Sequence, residues 1–445
     1  MTHEFRLDVP ESPDVVFDWH RRPGALARML PPWQPVRAVR EAASLRDGVA
    51  VLRFPAGRTW VAQHVADEYD DGHRFADRLA SRPFLLPLRW HHQHEFAAGP
   101  SGCTVTDRVT TGLPASLLTA MFRYRHRQLV DDLASHCLAA STPRLTVAVT
   151  GSSGLVGSAV VPFLTTGGHR VVRLVRRPPA REDERQWDPK APDPATLADV
   201  DAVIHLAGAS IAGRFTASHK REVRDSRVEP TRRLAQAAAA SGVSVFVSAS
   251  AIGFYGADRG DEELDEHASA GDGFLADLVR DWENAAIAGA GPAMRVVVVR
   301  TGIVQSPRGG ALRLQRPLFA AGLGGPLGAG DQWVSWIGID DLVDVYHRAL
   351  IDPRLDGVVN AVAPHPVRQR DYAAALGRAL HRPAIVPTPG LAPQLLLGSE
   401  GRREVASASQ RVRPAALERV GHAFRFPQVE PALRHLLGSA PGVAA

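Results

Sequence analysis

A glycine-rich turn between a predicted strand and a predicted helix is the segment whose residue types and spacing point most directly to chemistry. Residues 147–157 read VAVTGSSGLVG, an apolar run that leads into three glycines spaced three apart. A helix N-terminus offers unpaired backbone N–H groups and a dipole that both favour negative charge, so such a turn can hold a dinucleotide pyrophosphate. Gly151 would permit the tight turn, Gly154 the approach of the phosphates, and Gly157 the close packing of helix on strand. The predicted cofactor contacts in this turn are Thr150, Gly151, Ser152, Ser153, Gly154, Leu155, Val156 and Gly157.

The end of the next strand bears on which dinucleotide would bind. In NAD-specific folds, an acidic residue about 20 residues past the glycines accepts hydrogen bonds from the ribose 2′-hydroxyl. Here residues 169–177 read HRVVRLVRR, and Arg176 and Arg177 stand in that place. Because a guanidinium offers a bidentate fork to a 2′-phosphate, the sequence predicts NADP(H) rather than NAD. The alternative is that both arginines are solvated charges at a strand end.

A third strand, within residues 201–210 (DAVIHLAGAS), ends in small residues. Such a turn at the carboxyl end of a parallel strand would let the adenine side of the nucleotide lie against the backbone. Leu206, Ala207 and Gly208 are therefore predicted cofactor contacts. We interpret His205 as a packed strand-end residue rather than a catalyst.

The elements that must position these residues alternate along the chain after a short polar linker at residues 141–144. The predicted strands are Leu145–Thr150, Arg170–Val175, Ala202–Leu206, Val245–Ser250 and Arg295–Arg300. Strands alternating with helices predict an α/β fold with a doubly wound parallel sheet of the Rossmann type. We assign this domain, with its substrate loops, to residues 144–388. A small, mostly helical C-terminal domain is assigned to residues 389–445.

Residues 1–140 carry a different pattern of a strand, a helix, several antiparallel strands and a long closing helix over residues 115–139. The apolar residues of that helix recur at helical spacing: Leu118, Met121, Phe122, Leu129 and Leu133. This α+β pattern predicts a curved sheet that grips a helix and encloses a cavity for an apolar ligand.

Histidines in this first segment raise the question of a metal. His92 and His94 alternate on one face of a predicted strand, and His64 and His126 lie elsewhere. Because nothing in the sequence brings them together, no metal site is predicted.

The composition excludes several classes of function. The 445 residues suggest two or three domains, and 45% hydrophobic with 22% charged residues is ordinary for a globular protein. The net charge of +5 comes from basic residues scattered among acids, so no nucleic-acid partner is predicted. Cys103 and Cys137 show no disulfide or metal-binding spacing. Without an apolar signal segment or membrane-length run, we expect a cytoplasmic protein with no membrane partner.

Several motifs occur together and in order. TGSSGLVG, HLAG and FVSASAIGFYG (residues 246–256) resemble the extended short-chain dehydrogenase/reductases of the nucleotide-sugar epimerase type. The segments SRVEPT, RTGIVQSPRGGAL and GLGGPLGAGDQWVSWIGIDDL narrow the resemblance to the atypical "epimerase family" proteins, which carry a C-terminal domain of their own. The N-terminal segments WHHQHEF and FRYRHRQLVDDLASH resemble polyketide-cyclase/START-like helix-grip domains. The resemblance implies an NADP(H)-binding Rossmann domain fused to a ligand-binding domain.

The resemblance also implies where catalytic residues would stand. Reductases of this superfamily use a Tyr whose pKa is lowered by a Lys four residues on, with a Ser that binds the same substrate oxygen. Ser250 matches that Ser, but residues 274–283 (FLADLVRDWE) contain no Tyr and no Lys. Tyr255 is therefore predicted as a substitute proton donor, with packing against the substrate loop as the alternative. Asp277 and Glu283 are alternative bases.

Two functions of different classes follow. The first is an NADP(H)-dependent oxidoreductase or epimerase-like enzyme that acts on a small hydroxylated or carbonyl-bearing substrate. The second is a catalytically inactive sensor or scaffold that holds NADP(H), with an apolar ligand in its N-terminal domain. The retained glycines are compatible with both functions. The missing Tyr and Lys favour the second, whereas Ser250 and the substrate-loop region Arg300–Leu342 favour the first, which we take as the main hypothesis.

Overall fold

A computed structural model describes residues 1–82, 88–139, 142–387 and 397–440. The chain forms two compact units, one built mainly from Met1–Ser141 and the other from Thr142–Val161 and His169–Arg434. The short segments Pro162–Gly168 and His435–Ala445 group with the first unit. Within the described ranges, no helix combines the length and apolar composition needed to cross a bilayer.

The first unit is built on a seven-stranded sheet in the order β1-β7-β6-β5-β4-β3-β2, with every neighbouring pair antiparallel. Its strands are β1 (Thr2–Val9), β2 (Arg37–Arg40), β3 (Val49–Arg53), β4 (Thr59–His64), β5 (Arg74–Leu79), β6 (Trp90–Gly99) and β7 (Gly102–Thr111). In β6, buried side chains alternate with partly exposed ones from His92 to Phe96. This period of two is what an antiparallel sheet with one face toward a core requires.

The α-helices beside this sheet in the described ranges are α1 (Pro13–Arg21), α2 (Ala25–Met29) and α3 (Ala115–Cys137). Pro13 occupies the first turn of α1, where its missing N–H costs nothing. Buried Leu129 and Leu133 of α3 lie in one apolar cluster with Phe17 of α1 and Phe96 of β6. The predicted α+β order of elements is therefore seen, whereas β2 and α2 were not predicted.

The second unit contains the predicted parallel sheet. Its strand order is β10-β9-β8-β11-β12-β14-β18, and every neighbouring pair is parallel. The strands of this sheet are β8 (Thr146–Thr150), β9 (Arg170–Val175), β10 (Glu184–Gln186), β11 (Ala202–His205), β12 (Val245–Ala251), β14 (Arg295–Thr301) and β18 (Gly357–Ala361). The remaining strands form two-stranded sheets: β13 (Asp258–Leu264) with β20 (Ser409–Val412), β15 (Ile303–Gln305) with β17 (Trp336–Gly338), and β16 (Trp333–Val334) with β19 (Val367–Arg368). The order reverses beside β8, so the carboxyl ends of β8 and β11 flank the crevice where such sheets bind ligands.

Helices connect and cover these strands. They are α4 (Gly157–Thr166), α5 (Ala217–Asp225), α6 (Val228–Ala240), α7 (Phe274–Gly289), α8 (Gly310–Ala320), α9 (Ile339–Ile351), α10 (Gln369–Ala379), α11 (Ala415–Arg419) and α12 (Val429–Leu437). Leu234 of α6 and Ala286 of α7 pack in one cluster with Phe246 and Val298 of the sheet. Helix α9 also packs against β12 and β14. Burial from both sides explains the nearly continuous apolar run of β14, RVVVVRT.

The described C-terminal part contains a strand, β20, in addition to the helices that the sequence led us to expect. β20 forms a parallel pair with β13, and Ser335 Oγ donates to Gln410 O while accepting from Val412 N–H. A strand far along the chain thus completes a small sheet beside the main one. Local sequence pattern could not show this pairing, because its partner lies about 150 residues earlier.

Candidate functional site

The glycine turn connects the end of β8 to the start of α4. Gly151 has a φ of +66°, a left-handed conformation that favours glycine. A Cβ on Gly151 would lie 2.8 Å from the carbonyl carbon of Leu206, and a Cβ on Gly157 would lie 2.3 Å from Gly151 O. Both positions therefore require glycine because backbone passes directly beside them. At Gly154 the only atom of the described residues near an added Cβ is Gly151 O, at 3.2 Å, which leaves this side of the turn open to a ligand.

The turn leaves several backbone donors free. Gly154 N–H bonds to Gly151 O, and Ser158 N–H bonds to Gly154 O. Among the described residues, no acceptor is found for the N–H groups of Ser152, Ser153, Leu155 and Val156. Unpaired amides at the start of a helix bind anions. The donor set of this turn therefore fits the pyrophosphate of a dinucleotide.

Thr150 ties the ends of β8 and β11 together. Its Oγ1 accepts from the N–H groups of Leu206 (3.0 Å) and Ala207 (3.2 Å) and lies 2.8 Å from His205 Nδ1. Because Thr150 Oγ1 already accepts twice, its own proton points to His205, whose Nε2 then donates to Thr231 Oγ1 at 3.0 Å. Burial, with the charge of Arg227, lowers the pKa of His205 to about 4. His205 is therefore neutral and links Thr150 to Thr231 at the edge of the crevice, which agrees with its interpretation as a packed strand-end residue.

Gly208 is exposed and lies beside the buried side chain of Arg227, which was not predicted as a cofactor contact. A Cβ on Gly208 would lie 2.9 Å from the guanidinium carbon of Arg227. Arg227 donates to the carbonyls of Ala209 and Val223, but its Nε has no hydrogen-bond partner among the described residues. Burial lowers the pKa of Arg227 to about 10. A buried guanidinium with a spare donor next to the cofactor crevice is a further candidate contact.

The two predicted arginines at the end of β9 are in different situations. Arg177 forms a bidentate ion pair with Glu184, at 2.6 and 2.8 Å. That contact, with the Ala180 N–H bond, lowers the pKa of Glu184 to about 2. Arg176 is exposed, and no ion pair or hydrogen bond of its side chain is found within the described ranges. Arg176 is thus an exposed guanidinium without a side-chain partner in the described ranges, whereas Arg177 is paired with Glu184 across the loop after β9.

A second helix begins beside the same turn. A Cβ on Gly309 would lie 2.9 Å from Leu155 Cδ1, so the residues that start α8 pack directly on the side chain of Leu155. The sequence contained a signal for this contact in the paired glycines of SPRGGAL, which allow close approach of backbone. The loop before α8 therefore bounds the crevice on the side of the glycine turn.

Ser250, the predicted catalytic serine, is buried at the carboxyl end of β12. Its hydroxyl donates to Glu283 Oε1 at 2.5 Å. The same carboxylate accepts two hydrogen bonds from Arg300, from Nε and Nη2, both at 2.8 Å. The serine proton is thus committed to an ion pair between α7 and β14. Glu283, the alternative base suggested by the sequence, is therefore engaged by Ser250 and Arg300.

Tyr255, the predicted proton donor, is fully buried in the single helical turn Ile252–Tyr255. Its hydroxyl donates to Asn360 Oδ1 at 2.8 Å, lies 2.9 Å from Asp265 O, and accepts from Arg300 Nη1 at 3.1 Å. Burial raises the pKa of Tyr255 to about 12. A buried phenol with its proton engaged and its pKa raised cannot serve as a ready acid or base near neutral pH. This geometry favours the packing alternative.

The family comparisons agree with this geometry. A protein-family model described as the NAD dependent epimerase/dehydratase family matches residues 147–361. A second model, for a domain of unknown function, DUF1731, matches residues 388–436. The first range covers the glycine turn, β9, Ser250 and Tyr255. The predicted resemblance to the epimerase family and to its C-terminal domain is therefore confirmed.

Similar proteins and structures cover most of the chain. An epimerase family protein of Mycobacterium bovis is 44% identical over 290 residues, 64% of this chain and 96% of that protein. The crystal structure of the nucleoside-diphosphate sugar epimerase from Corynebacterium glutamicum is 41% identical with a TM-score of 0.86, and covers 98% of this chain and 90% of that one. Human epimerase family protein SDR39U1, solved with NADPH, is 32% identical with a TM-score of 0.61, over 66% of this chain and 99% of that one. This chain belongs to the epimerase family, within the NAD dependent epimerase/dehydratase proteins.

Proposed function

We propose that this chain binds NADP(H) at the glycine turn and acts as an oxidoreductase or epimerase-like enzyme on a small hydroxylated or carbonyl-bearing substrate. The observation that carries the proposal is the set of unpaired amides at Ser152, Ser153, Leu155 and Val156 around an open Gly154. Donors fixed in place before binding lose little entropy when they take up a pyrophosphate. The NADPH in the structure of the human relative supports the same cofactor here.

The preference for the phosphorylated cofactor is assigned to Arg176. Its side chain is exposed at the end of β9, where no acidic residue stands in the place that would receive a ribose 2′-hydroxyl. Arg177 already forms an ion pair with Glu184, so its positive charge is less available to a phosphate. Arg227, beside Gly208, would add a donor on the other wall of the crevice.

The cofactor, when bound, supplies hydride transfer to or from a carbinol carbon. The chain's own residues would hold its phosphates through the turn, bound the crevice with Leu155, and offer Ser250 as the polar group at the end of β12. Because the Ser250 hydroxyl donates its hydrogen bond to Glu283, the serine oxygen can itself accept a hydrogen bond from a substrate hydroxyl. Binding and orientation, rather than a Tyr–Lys pair, are therefore what this site contributes.

The cofactor assignment is tested by titrating the purified full-length protein with NADPH and NADH and following nicotinamide fluorescence. Arg176→Ala is expected to weaken NADPH binding by about tenfold or more, since a hydrogen bond to a charged group contributes about 1.5–3 kcal/mol. NADH binding should not change. Arg181→Ala, another arginine of the same loop, is the matched control for loss of one positive charge.

Two results would count against this assignment. Equal loss of NADPH and NADH affinity in Arg176→Ala would show that the arginine does not read the 2′-phosphate. A wild-type preference for NADH would remove the NADP(H) assignment altogether.

A second function is favoured by the buried network at the substrate end. Ser250 is committed to Glu283, and the pKa of Tyr255 is raised to about 12 by burial. A chain with these two features and no Tyr–Lys pair can hold NADP(H) without catalysis, as a sensor or scaffold. Unlike the enzyme proposal, this one needs no proton donor.

Single-turnover oxidation of bound NADPH against a panel of carbonyl compounds separates the two functions. Turnover that falls at least tenfold in Ser250→Ala, but not in Ser248→Ala on the same strand, supports the enzyme. Ser248 Oγ donates only to the carbonyl of Ala249 among the described residues, so it is a matched control. Tight NADPH binding with no oxidation of any compound supports the sensor or scaffold.

We also propose that residues 1–140 form a START-like helix-grip domain that binds a small ligand. Its support is the seven-stranded antiparallel sheet closed by the 23-residue helix α3. Residues 144–388 would then be the cofactor domain, and residues 389–445 the family-specific C-terminal domain. Separate expression of residues 1–143 tests the first boundary. A soluble fragment with a cooperative thermal transition is the expected result, and an aggregated or unfolded one contradicts it.

A further inference from the structure

The buried face of the first sheet carries a group of imidazole and carboxylate side chains. His92 and His94 lie two residues apart on β6, so both point to the same face. On one side, Asp77 of β5 is directly opposite His92. On the other side, Asp107 of β7 is directly opposite His94. Strand register therefore places two histidines and two aspartates in neighbouring positions on one face, which the sequence alone could not establish.

Hydrogen bonding fixes the proton on His92. His92 Nε2 lies 2.9 Å from Asp107 Oδ1, and because an ionised carboxylate only accepts, Nε2 carries the hydrogen. In a neutral imidazole, Nδ1 then keeps a bare lone pair. That Nδ1 lies 3.6 Å from Asp77 Oδ2, too far for a hydrogen bond. Two electron-rich atoms thus face each other across a gap in the protein interior.

The partner atoms that would normally satisfy these groups are missing from the described chain. Asp77 is 14% exposed at its side chain, and its carboxylate receives no hydrogen bond from any residue within the described ranges. His94 Nδ1 is buried and has no aligned hydrogen-bond partner there, although it lies 2.8 Å from Asp107 Oδ1. A partly buried carboxylate and a buried ring nitrogen without partners are costly unless water or a further group satisfies them.

We propose that Asp77, His92 and His94 bind a divalent transition-metal ion such as Zn²⁺, with Asp107 orienting His92. One ligand atom from each of the three residues lies within 4.8 Å of the other two. Ligand atoms on a tetrahedral ion with bonds of 2.0–2.1 Å are about 3.3 Å apart, close to the His92–Asp77 separation. Asp107 bonds to the far nitrogen of His92, the arrangement by which carboxylates fix metal-binding histidines.

The chemistry of the donors restricts the metal. Two imidazoles and one carboxylate suit zinc, iron, cobalt or nickel, whereas calcium and magnesium prefer oxygen ligands only. Three protein ligands leave at least one coordination position for water or a small ligand, as in catalytic rather than structural zinc sites. His126 of α3 bonds to the second oxygen of Asp107 at 3.0 Å, which ties the site to the helix that covers the sheet. The ligand proposed for the START-like domain would then include a metal-binding group.

The test uses untagged full-length protein stripped of metal with EDTA and titrated with Co²⁺, followed by visible absorption. We expect one Co²⁺ per chain with the intense bands of a four- or five-coordinate ion, displaced by an equivalent of Zn²⁺. His92→Gln and His94→Gln are each expected to weaken Co²⁺ binding by at least tenfold. His91→Gln is the matched control, because His91 lies on the opposite face and bonds to exposed Glu68.

The outcomes separate the proposal from a simple hydrogen-bonded network. Failure of Co²⁺ and Zn²⁺ to bind at micromolar concentration overturns it. Unchanged stoichiometry and affinity in the folded double variant His92→Gln/His94→Gln also overturn it, since the ion would then lie elsewhere. If the variants do not fold, X-ray absorption at the cobalt edge of the wild-type protein decides. Two imidazole ligands support the site, and fewer than two exclude it.

Discussion

Gly151 is the residue whose backbone conformation the cofactor turn depends on most directly. Replacing it with alanine would force a Cβ onto a φ of +66° and within 2.8 Å of the Leu206 carbonyl carbon. The strain of the left-handed conformation costs about 1–2 kcal/mol for an L-residue, and the collision must move the ends of β8 and β11 apart. We expect Gly151→Ala to lower NADPH affinity more than tenfold, measured by fluorescence titration.

Gly242 supplies the control for that experiment. It has a φ of +75°, and no atom of the described residues lies within 4 Å of an added Cβ, so Gly242→Ala introduces the strain without the collision. Its expected effect is a small drop in melting temperature with NADPH binding unchanged. Equal NADPH affinity in Gly151→Ala and the wild type would contradict the role assigned to the turn.

Glu283 makes a second prediction at the scale of single residues. Its carboxylate accepts from Ser250 and twice from Arg300, a guanidinium only 3% exposed. Glu283→Gln keeps the shape but leaves the Arg300 charge buried without a counter-charge, which should cost about 3–5 kcal/mol. Urea unfolding measures the loss. Glu263→Gln, in an exposed pair with Arg413, should cost less than about 1 kcal/mol. Similar losses in both variants would contradict a structural role for the buried pair.

The sequence predicted the contiguous half of this site and missed the half that depends on folding. Thr150 to Gly157 could be assigned because strand, turn and helix follow one another in the chain. The Glu283–Arg300 and Arg177–Glu184 pairs join separate elements, and only their contact shows which charges are already neutralised. Ser250 lies at the end of β12 where the sequence placed it, but its hydrogen bond to Glu283 could not be predicted.

At the scale of elements, central strands were predicted best. The bounds of β9, Arg170–Val175, agree with the prediction, because Val171, Val172 and Leu174 are buried in a strand that lies between two neighbours. β2 was missed since Arg37–Arg40 lies at the sheet edge and is largely exposed. β20 was missed because its pairing partner is remote in sequence. The local sequence pattern thus indicates which segments are buried. It does not predict strands that form only because they pair with a neighbour.

Helix α3 provides a test of how an element is held to its sheet. Leu129 is 1% exposed and packs in the cluster that joins α1, α3 and the sheet. Leu129→Ala removes that contact and leaves a cavity, so the free energy of unfolding should fall by about 2–5 kcal/mol. Leu117→Ala, on the same helix but 65% exposed, should change it by less than about 0.5 kcal/mol. Equal effects of the two variants in urea unfolding would mean that α3 is not anchored through this face.

At the scale of the whole molecule, buried histidines set how stability depends on pH. Burial lowers the pKa of His169, His205 and His422 to about 4, with nearby arginines adding to the effect. The ordinary value in an unfolded chain is about 6.5. Between these limits the unfolded chain binds protons that the folded chain does not. Stability is therefore fully present above pH 6.5 and is lost as the pH falls toward 4, by up to about 1.4 kcal/mol per pH unit for each histidine.

Carboxylates with shifted pKa values affect stability differently from these histidines. Carboxylates whose pKa is lowered by ion pairs, such as Glu184, lose their contribution only below about pH 4.5, near their unfolded value. Asp341 acts in the opposite sense, because burial raises its pKa well above the ordinary value and favours the folded state at low pH. One such group offsets only part of the effect of three histidines.

Urea midpoints measured at pH 8, 7, 6 and 5 test this balance. We expect similar midpoints at pH 8 and 7 and a progressive fall at pH 6 and 5. His169→Gln should make the fall shallower, since one proton fewer is taken up on unfolding, whereas His91→Gln, at an exposed pair with Glu68, should follow the wild type. Midpoints that do not change between pH 8 and 5, or an equal slope in His169→Gln and the wild type, would contradict the assignment of neutral buried histidines.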